Sequence, residues 1–159
     1  PMEDVYPRVA HTETRELYVR DLGRSRIVYF PWDIDRTFWD VMSVDHLRLL
    51  RNAVAWAANE PPPVQVEGPG VLDVTAWRQQ ASMTVHLVNL TNPMMMKGPL
   101  RETIPVGPFR VRVRLPPAAR PRKVHLLTAG TILNARAAGD LLTLTVPSIE
   151  LHEVVAIDL

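Results

Sequence analysis

The chain has 159 residues, of which 47% are hydrophobic and 22% charged, a globular composition that excludes a largely disordered protein and can bury a core. Its formal net charge of +1 at pH 7 gives no electrostatic basis for binding nucleic acid or an anionic membrane. Cysteine is absent, which excludes disulfides, thiolate metal sites and thiol nucleophiles.

Residues 1–60 predict a β-hairpin followed by one helix. The predicted strands, residues 14–20 and 27–30, are joined by a turn in which Gly23 tolerates a positive φ. Residues 45–58 carry apolar side chains at helical spacing, with Asp45 as the predicted N-cap and three prolines beyond the helix. Two strands and one helix are too few for a stable domain, so we expect another protein surface to cover them.

Residues 61–159 predict a second domain built from strands, because short apolar runs separated by Gly, Pro and Asn replace the helical period. The predicted strands are residues 64–67, 71–79, 82–89, 102–105, 109–115, 123–127, 131–135, 141–146 and 153–159. In residues 109–115, apolar side chains alternate with three arginines, which indicates a sheet with one buried and one solvated face. The predicted fold class is mainly β (α+β): a C-terminal antiparallel β-sandwich preceded by a β-hairpin and one α-helix.

Two carboxylates, Asp33 and Asp35, stand two residues apart in the stretch between hairpin and helix. Paired carboxylates can catalyse glycoside hydrolysis or bind Ca²⁺. A glycosidase pair needs a partner across a cleft, and a Ca²⁺ loop needs further oxygen ligands and a glycine, neither of which this stretch supplies. Capping, or ion pairing with Arg36, is the favoured interpretation.

Aromatic side chains are concentrated in the same stretch, at Trp32, Phe38, Trp39 and Trp56. Burial in a core or interface is the favoured role, and stacking on a sugar ring is the alternative. A second unusual feature is a loop with three consecutive methionines, which favours packing or a soft contact surface. The candidate interface or sugar-contact residues are Trp32, Asp33, Asp35, Phe38, Trp39, Met94, Met95 and Met96.

The remaining polar residues do not form a recognisable site. The five histidines lack metal-ligand spacing, and solvated strand positions are favoured over a shared-face cluster for His86, His125 and His152. Serine elbows, phosphate-binding loops and dinucleotide fingerprints are absent from the sequence. Asn89-Leu90-Thr91 is a glycosylation sequon, a triplet that often arises by chance. We therefore predict no catalytic, cofactor-binding or metal-binding residue, and no cofactor.

Two parts of the chain carry a resemblance to a known family. Residues 23–39 (GRSRIVYFPWDIDRTFW), 45–46 and 49–57 resemble the end of the glutamine-amidotransferase-like, flavodoxin-like trimerisation domain that follows the TIM barrel in certain β-galactosidases. Residues 85–99, 104–108 and 152–157 resemble the C-terminal β-domain of the same proteins. The group resembled is a set of poorly characterised glycoside hydrolases related to those β-galactosidases.

The resemblance implies a domain division and a role without catalysis. Residues 1–60 would be a partial, trimerisation-domain-like α/β segment, and residues 61–159 a β-sandwich domain. The catalytic glutamates of that family lie in the barrel, which needs about 250 residues and is missing here. No catalytic residue can therefore be carried over to this chain, whose parent protein would be a glycoside hydrolase.

The expected function is that of a non-catalytic accessory or oligomerisation region, with a second copy or an upstream catalytic barrel as partner. One alternative is a carbohydrate-binding β-sandwich module, for which exposed aromatics on one sheet face would be needed; the β-domain offers Trp77 and Phe109. Another is an enzyme that uses Asp33, Asp35 and His46. The missing cysteine and the polar, acidic start favour a cytoplasmic location, and the opening on Pro1 suggests a fragment.

Overall fold

A computed structural model of the chain describes residues 13, 15–91 and 102–159. The chain divides into two compact units, Pro1–Pro61 and Pro62–Leu159. More of the described residues lie in antiparallel strands than in helices, of which this part of the chain has two. This confirms the predicted fold class, a mainly β protein with a small helical part.

The first unit contains a hairpin and two helices. The strands β1 (Tyr18–Asp21) and β2 (Arg26–Tyr29) pair antiparallel. Their turn forms as predicted, because the Asp21 carboxylate accepts the Gly23 N–H at 2.8 Å and Gly23 adopts φ +80°. The helices are α1 (Ile34–Val41) and α2 (Val44–Ala58).

The prediction of a single helix was wrong, because residues 34–41 form a helix of their own. Ile34, Phe38 and Val41 recur at helical spacing, and Met42 in the left-handed conformation ends α1. The second helix begins at Val44, so that Ser43 is the N-cap residue and the predicted N-cap, Asp45, lies in the first turn. Its end agrees with the prediction: Asn59 is left-handed and its N–H bonds the Ala55 carbonyl before the prolines.

The second unit is a sandwich of two antiparallel sheets. One sheet has the strand order β3-β6-β10-β9 and the other β4-β5-β11-β7-β8. The strand bounds are β3 (Val64–Glu67), β4 (Leu72–Arg78), β5 (Ser82–Asn89), β6 (Phe109–Arg114), β7 (Lys123–Leu126), β8 (Thr131–Ile132), β9 (Arg136–Ala138), β10 (Leu141–Val146) and β11 (His152–Asp158).

The core of this unit lies between the facing sides of the two sheets. Alternating side chains of β5, β6 and β10 are buried, and β11 adds Val155 and Ile157. The predicted pattern of β6 is confirmed: its apolar side chains are buried, whereas Arg110 and Arg114 are exposed and Arg112 is half-buried. On the solvated side, Arg112 pairs with Glu67 at 3.0 Å and Arg114 pairs with Asp140.

Two strand predictions were wrong in detail. Residues 102–105 form no strand, and the neighbouring Val106 makes an isolated antiparallel bridge with Ile149. The predicted strand 131–135 is limited to β8, and β9 follows as a separate short strand. The turn between β9 and β10 is made at residues 138–140, where Gly139 adopts φ +63° and β9 pairs back on β10.

Candidate functional site

The two candidate carboxylates lie exposed at the start of α1. Asp33 is the N-cap residue, but its side chain makes no capping hydrogen bond; its carbonyl accepts the Thr37 N–H at 2.9 Å and the Thr37 hydroxyl at 2.8 Å. Arg36 pairs with Asp40 at 3.8 Å, so the salt bridge predicted for Asp33 or Asp35 forms with a different carboxylate. These side chains therefore belong to one exposed helical turn, and the turn provides no enclosed surface on which a substrate could be held.

The candidate aromatic residues do not form one cluster. Trp32 packs edge-on against Phe30 and His46, with ring centroids 6.4 and 5.8 Å apart, and its indole N–H donates to the Glu16 carbonyl at 3.0 Å. Trp56 lies under the Arg26 guanidinium, 5.2 Å from the ring centroid. Both indoles thus hold the hairpin and the helices together, which is the structural role expected of buried aromatics.

Trp39 differs from these two tryptophans because it is 62% exposed. It belongs to a wider set of large apolar side chains in the first unit that face solvent, here called the apolar surface of the first unit. Its members are Leu17, Tyr18, Val19, Leu22, Ile27, Tyr29, Trp39, Val41, Met42, Val44, Leu47 and Val54. Among the described residues of this unit, only Ile34 is a buried hydrophobic side chain.

The hairpin shows how this surface arises. Cross-strand pairing places Tyr18 opposite Tyr29 and Arg20 opposite Ile27, and the two tyrosine rings lie 6.2 Å apart. These residues line an open cavity of about 420 Å³ together with Val19. The tyrosines and Ile27 remain exposed, whereas the alternate residues Arg26 and Val28 are half-buried. The hairpin therefore has one exposed apolar face, and its other face is partly covered at β2 but exposed at β1.

The three methionines Met94, Met95 and Met96 lie outside the described residues. The structure does describe Asn89 of the adjoining sequon. Its side chain is fully buried, and its amide donates to the carbonyls of Ile104 at 2.9 Å and Glu150 at 2.8 Å. The amide nitrogen that would carry a glycan is therefore occupied in the fold.

The outer face of the five-stranded sheet is the side that points away from the sandwich core, formed by alternate residues of β4, β5, β11 and β7. Trp77 lies there opposite Thr84 and is 61% exposed. Trp77 also lines an open cavity of about 320 Å³ with Arg78 and Arg114. This face therefore carries one exposed aromatic side chain, and the cavity that Trp77 lines has two arginines from outside the face, a combination that can contact a sugar.

Two histidines meet on this outer face. His86 Nδ1 and His152 Nε2 are 3.2 Å apart, and the two rings are inclined by only 16°. His125 lies on the same face but pairs in register with Ala156, so the cluster of three considered from the sequence is limited to two. Sequence reasoning could place His86 in a strand and His152 next to one, but it could not give the register that joins β5 to β11.

Within the described residues, no three His, Asp or Glu side chains are arranged to hold a metal ion. Neither helix of the described part has the length and apolarity needed to cross a membrane. What the arrangement offers chemically is binding: an uncovered apolar surface in the first unit, and an aromatic residue and a histidine pair in the second.

Comparisons with known proteins bear on the fold. No protein-family model matches the chain, and no curated protein matches its sequence. Among solved structures, α-L-fucosidase isoenzyme 2 from Paenibacillus thiaminolyticus is similar over 82% of this chain, with a TM-score of 0.70 and 19% identity. A cycloisomaltooligosaccharide glucanotransferase from Paenibacillus sp., complexed with cycloisomaltoheptaose, is similar over 59%, with a TM-score of 0.50 and 18% identity. The chain spans 20% and 16% of the length of these two proteins, so it shares its fold with one part of each.

Proposed function

We propose that this chain is a non-catalytic accessory region of a carbohydrate-active enzyme, and that its first unit assembles with another protein surface. The observation that carries the proposal is the apolar surface of the first unit. Twelve large hydrophobic side chains are exposed there, against Ile34 as the single buried one among the described residues of that unit. Exposed patches of this kind usually mark interfaces.

The fold neighbours support the first part of the proposal. Both are named as carbohydrate-active enzymes, and in both the similar region is a small share of a much longer chain. The finer assignment, to the C-terminal region of glycoside hydrolases related to β-galactosidases, rests on the sequence resemblance. In such a protein a separate barrel would carry the catalytic groups, and this region would serve assembly or substrate framing.

A second copy of the chain is the partner we favour for the first unit. Within residues 13, 15–91 and 102–159, the hairpin pairs with no further strand, and an open edge can pair with a strand of another molecule. A two-fold dimer is the commonest closed assembly, although the resemblance suggests a trimer as the other outcome. An upstream catalytic barrel is the alternative partner, and it would cover the same apolar side chains.

We expect the purified chain to self-associate at micromolar concentration, as measured by sedimentation equilibrium. Trp39→Ala should weaken this association by about tenfold or more, because an exposed tryptophan in an interface contributes more binding energy than most residues. Trp77→Ala is the matched control, since Trp77 is equally exposed but lies in the second unit, and it should leave the association constant unchanged. A strictly monomeric wild-type chain would rule out the second copy as partner.

We also expect no turnover of chromogenic fucosides or galactosides by the chain, because Asp33 and Asp35 lie together on one exposed turn, whereas the two carboxylates of a glycosidase flank the bond that is cleaved. Release of nitrophenol, followed over hours at high protein concentration, checks this. The matched variant is Asp33→Asn/Asp35→Asn: turnover that is present in the wild type and lost in this double variant would overturn the proposal of a non-catalytic role.

Carbohydrate binding is the second candidate function. Trp77 favours it, because its exposed indole can stack on a pyranose ring. Arg78 and Arg114, which line the same cavity, can hydrogen-bond to the hydroxyl groups of that sugar. Phe109, the other aromatic residue considered for this role, is buried and unavailable for contact. The sandwich therefore offers a single stacking position, which ranks this function below assembly.

A further inference from the structure

His86 and His152 belong to adjacent strands at the centre of the five-stranded sheet. β5 and β11 pair so that His86 lies opposite Val154 and His152 opposite Val88, which sets the two histidines diagonally on the outer face. Their nearest ring nitrogens, Nδ1 of His86 and Nε2 of His152, are 3.2 Å apart, and the ring centroids are 5.3 Å apart. Without an ion, one ring donates its N–H to the other, as the tautomers allow.

We propose that His86 and His152 together bind a divalent transition-metal ion on the outer face of the sheet. Imidazole nitrogens bind such ions at about 2.0–2.1 Å, so two ligands at angles of 90–110° have nitrogens about 2.9–3.4 Å apart. The observed separation of 3.2 Å falls within that range. A modest rotation about each Cβ–Cγ bond directs both lone pairs to one ion, and this torsion is soft in histidine.

The strands make this arrangement preorganised and accessible. Both histidines are anchored in paired central strands, so the backbone contributes little ordering cost when the ion binds. His152 is exposed and His86 is half-buried, which leaves a route for the ion from solvent. Asp73 lies on the same face, opposite Val88, and its carboxylate adds negative charge to the face from which the cation binds.

The chemistry of the pair selects the class of ion. Two neutral imidazoles are suitable ligands for Cu²⁺, Ni²⁺ and Zn²⁺, with Cu²⁺ bound most tightly in the usual affinity order. Because the protein supplies two ligands, water completes the coordination and the ion exchanges readily. The site is therefore a binding site for an exchangeable metal, in contrast to a closed structural zinc site with four protein ligands.

The test is a titration of the untagged 159-residue chain with Cu²⁺ by calorimetry, together with electron paramagnetic resonance of the 1:1 complex. We expect one bound ion per chain and hyperfine coupling to two imidazole nitrogens. His86→Gln and His152→Gln should each lower the affinity by about tenfold or more, because each removes one of two protein ligands. His125→Gln, on the same face, should retain the wild-type affinity.

Thermal melting of each metal-free variant separates loss of the site from loss of the fold. Both paired histidines project from the outer face, so their replacement should leave the melting temperature unchanged within a few degrees. Wild-type affinity in either His86→Gln or His152→Gln would overturn the proposal, as would a spectrum with a single coupled nitrogen. Absence of 1:1 binding in the wild-type chain would also overturn it.

Discussion

Val113→Asp should destabilise the second unit by about 4 kcal/mol or more, because it places an unpaired charge in the sandwich core. Val113 is fully buried in β6, between Val64 of β3 and Leu142 of β10 in the same sheet. No described basic side chain lies on that buried side of β6, whose inward residues are all apolar. For a unit of this size, each kcal/mol lowers the melting temperature by about 4–8 °C, so the variant should melt far below the wild type.

Arg112→Ser is the matched substitution, one residue away on the opposite side of the same strand. It removes a partly exposed ion pair with Glu67 and a hydrogen bond to Gln65, and pairs of this kind contribute less than about 1 kcal/mol. Thermal and urea unfolding of the two variants should therefore differ sharply. Equal losses of stability would contradict the assignment of buried and solvated sides to β6.

The alternation that motivates this pair of substitutions is also what made most of the sandwich predictable. A strand with one wet face has a period of two, and that period is visible in residues 109–115 and 141–146 without any knowledge of the partners. Strand β10 has the predicted bounds, and β6 ends one residue earlier than predicted. Burial against a single core imposes this pattern, so the sequence alone is sufficient to detect it.

Short elements and strand pairing were less accessible from the sequence. Helix α1 has eight residues, and its three periodic apolar residues lie among aspartates that favour turns and loops as strongly as a helix start. The meeting of His86 with His152 depends on how β5 and β11 align, two strands that are more than 60 residues apart in the chain. Nothing local encodes that alignment.

The sequence predicted that apolar side chains of the first unit would need another surface to cover them, because the unit has too few strands and helices. A hairpin with one helix cannot cover its own side chains, and adding α1 does not change this conclusion, because Trp39, Val41 and Met42 themselves remain exposed. The aromatic residues of this stretch have different roles in the structure. Trp32 and Trp56 are used inside the unit, and only Trp39 among the tryptophans of this stretch is free to contact another surface.

Asn89 was noticed in the sequence only as part of a sequon, and the structure gives it a different role. Its side-chain amide donates to the carbonyls of Ile104 and Glu150, while its carbonyl oxygen accepts the Thr91 N–H at 3.0 Å. The residue is fully buried at the end of β5. One side chain thus holds backbone groups from three separate segments, a function that hydrophobic periodicity does not reveal.

Asn89→Ala should therefore cost about 3 kcal/mol or more, because it leaves several buried polar groups unpaired and opens a cavity. Asn89→Asp keeps the side-chain volume and the hydrogen bond from the Thr91 N–H. It also places a carboxylate oxygen against the two backbone carbonyls that accept hydrogen bonds from the amide in the wild type. It should be at least as destabilising as Asn89→Ala at pH 7. Asn134→Asp is the control, since Asn134 is exposed, and it should change stability by less than about 0.5 kcal/mol. Chemical unfolding measures all three variants, and similar stabilities for Asn89→Asp and Asn134→Asp would show that the amide donor of Asn89 is not required.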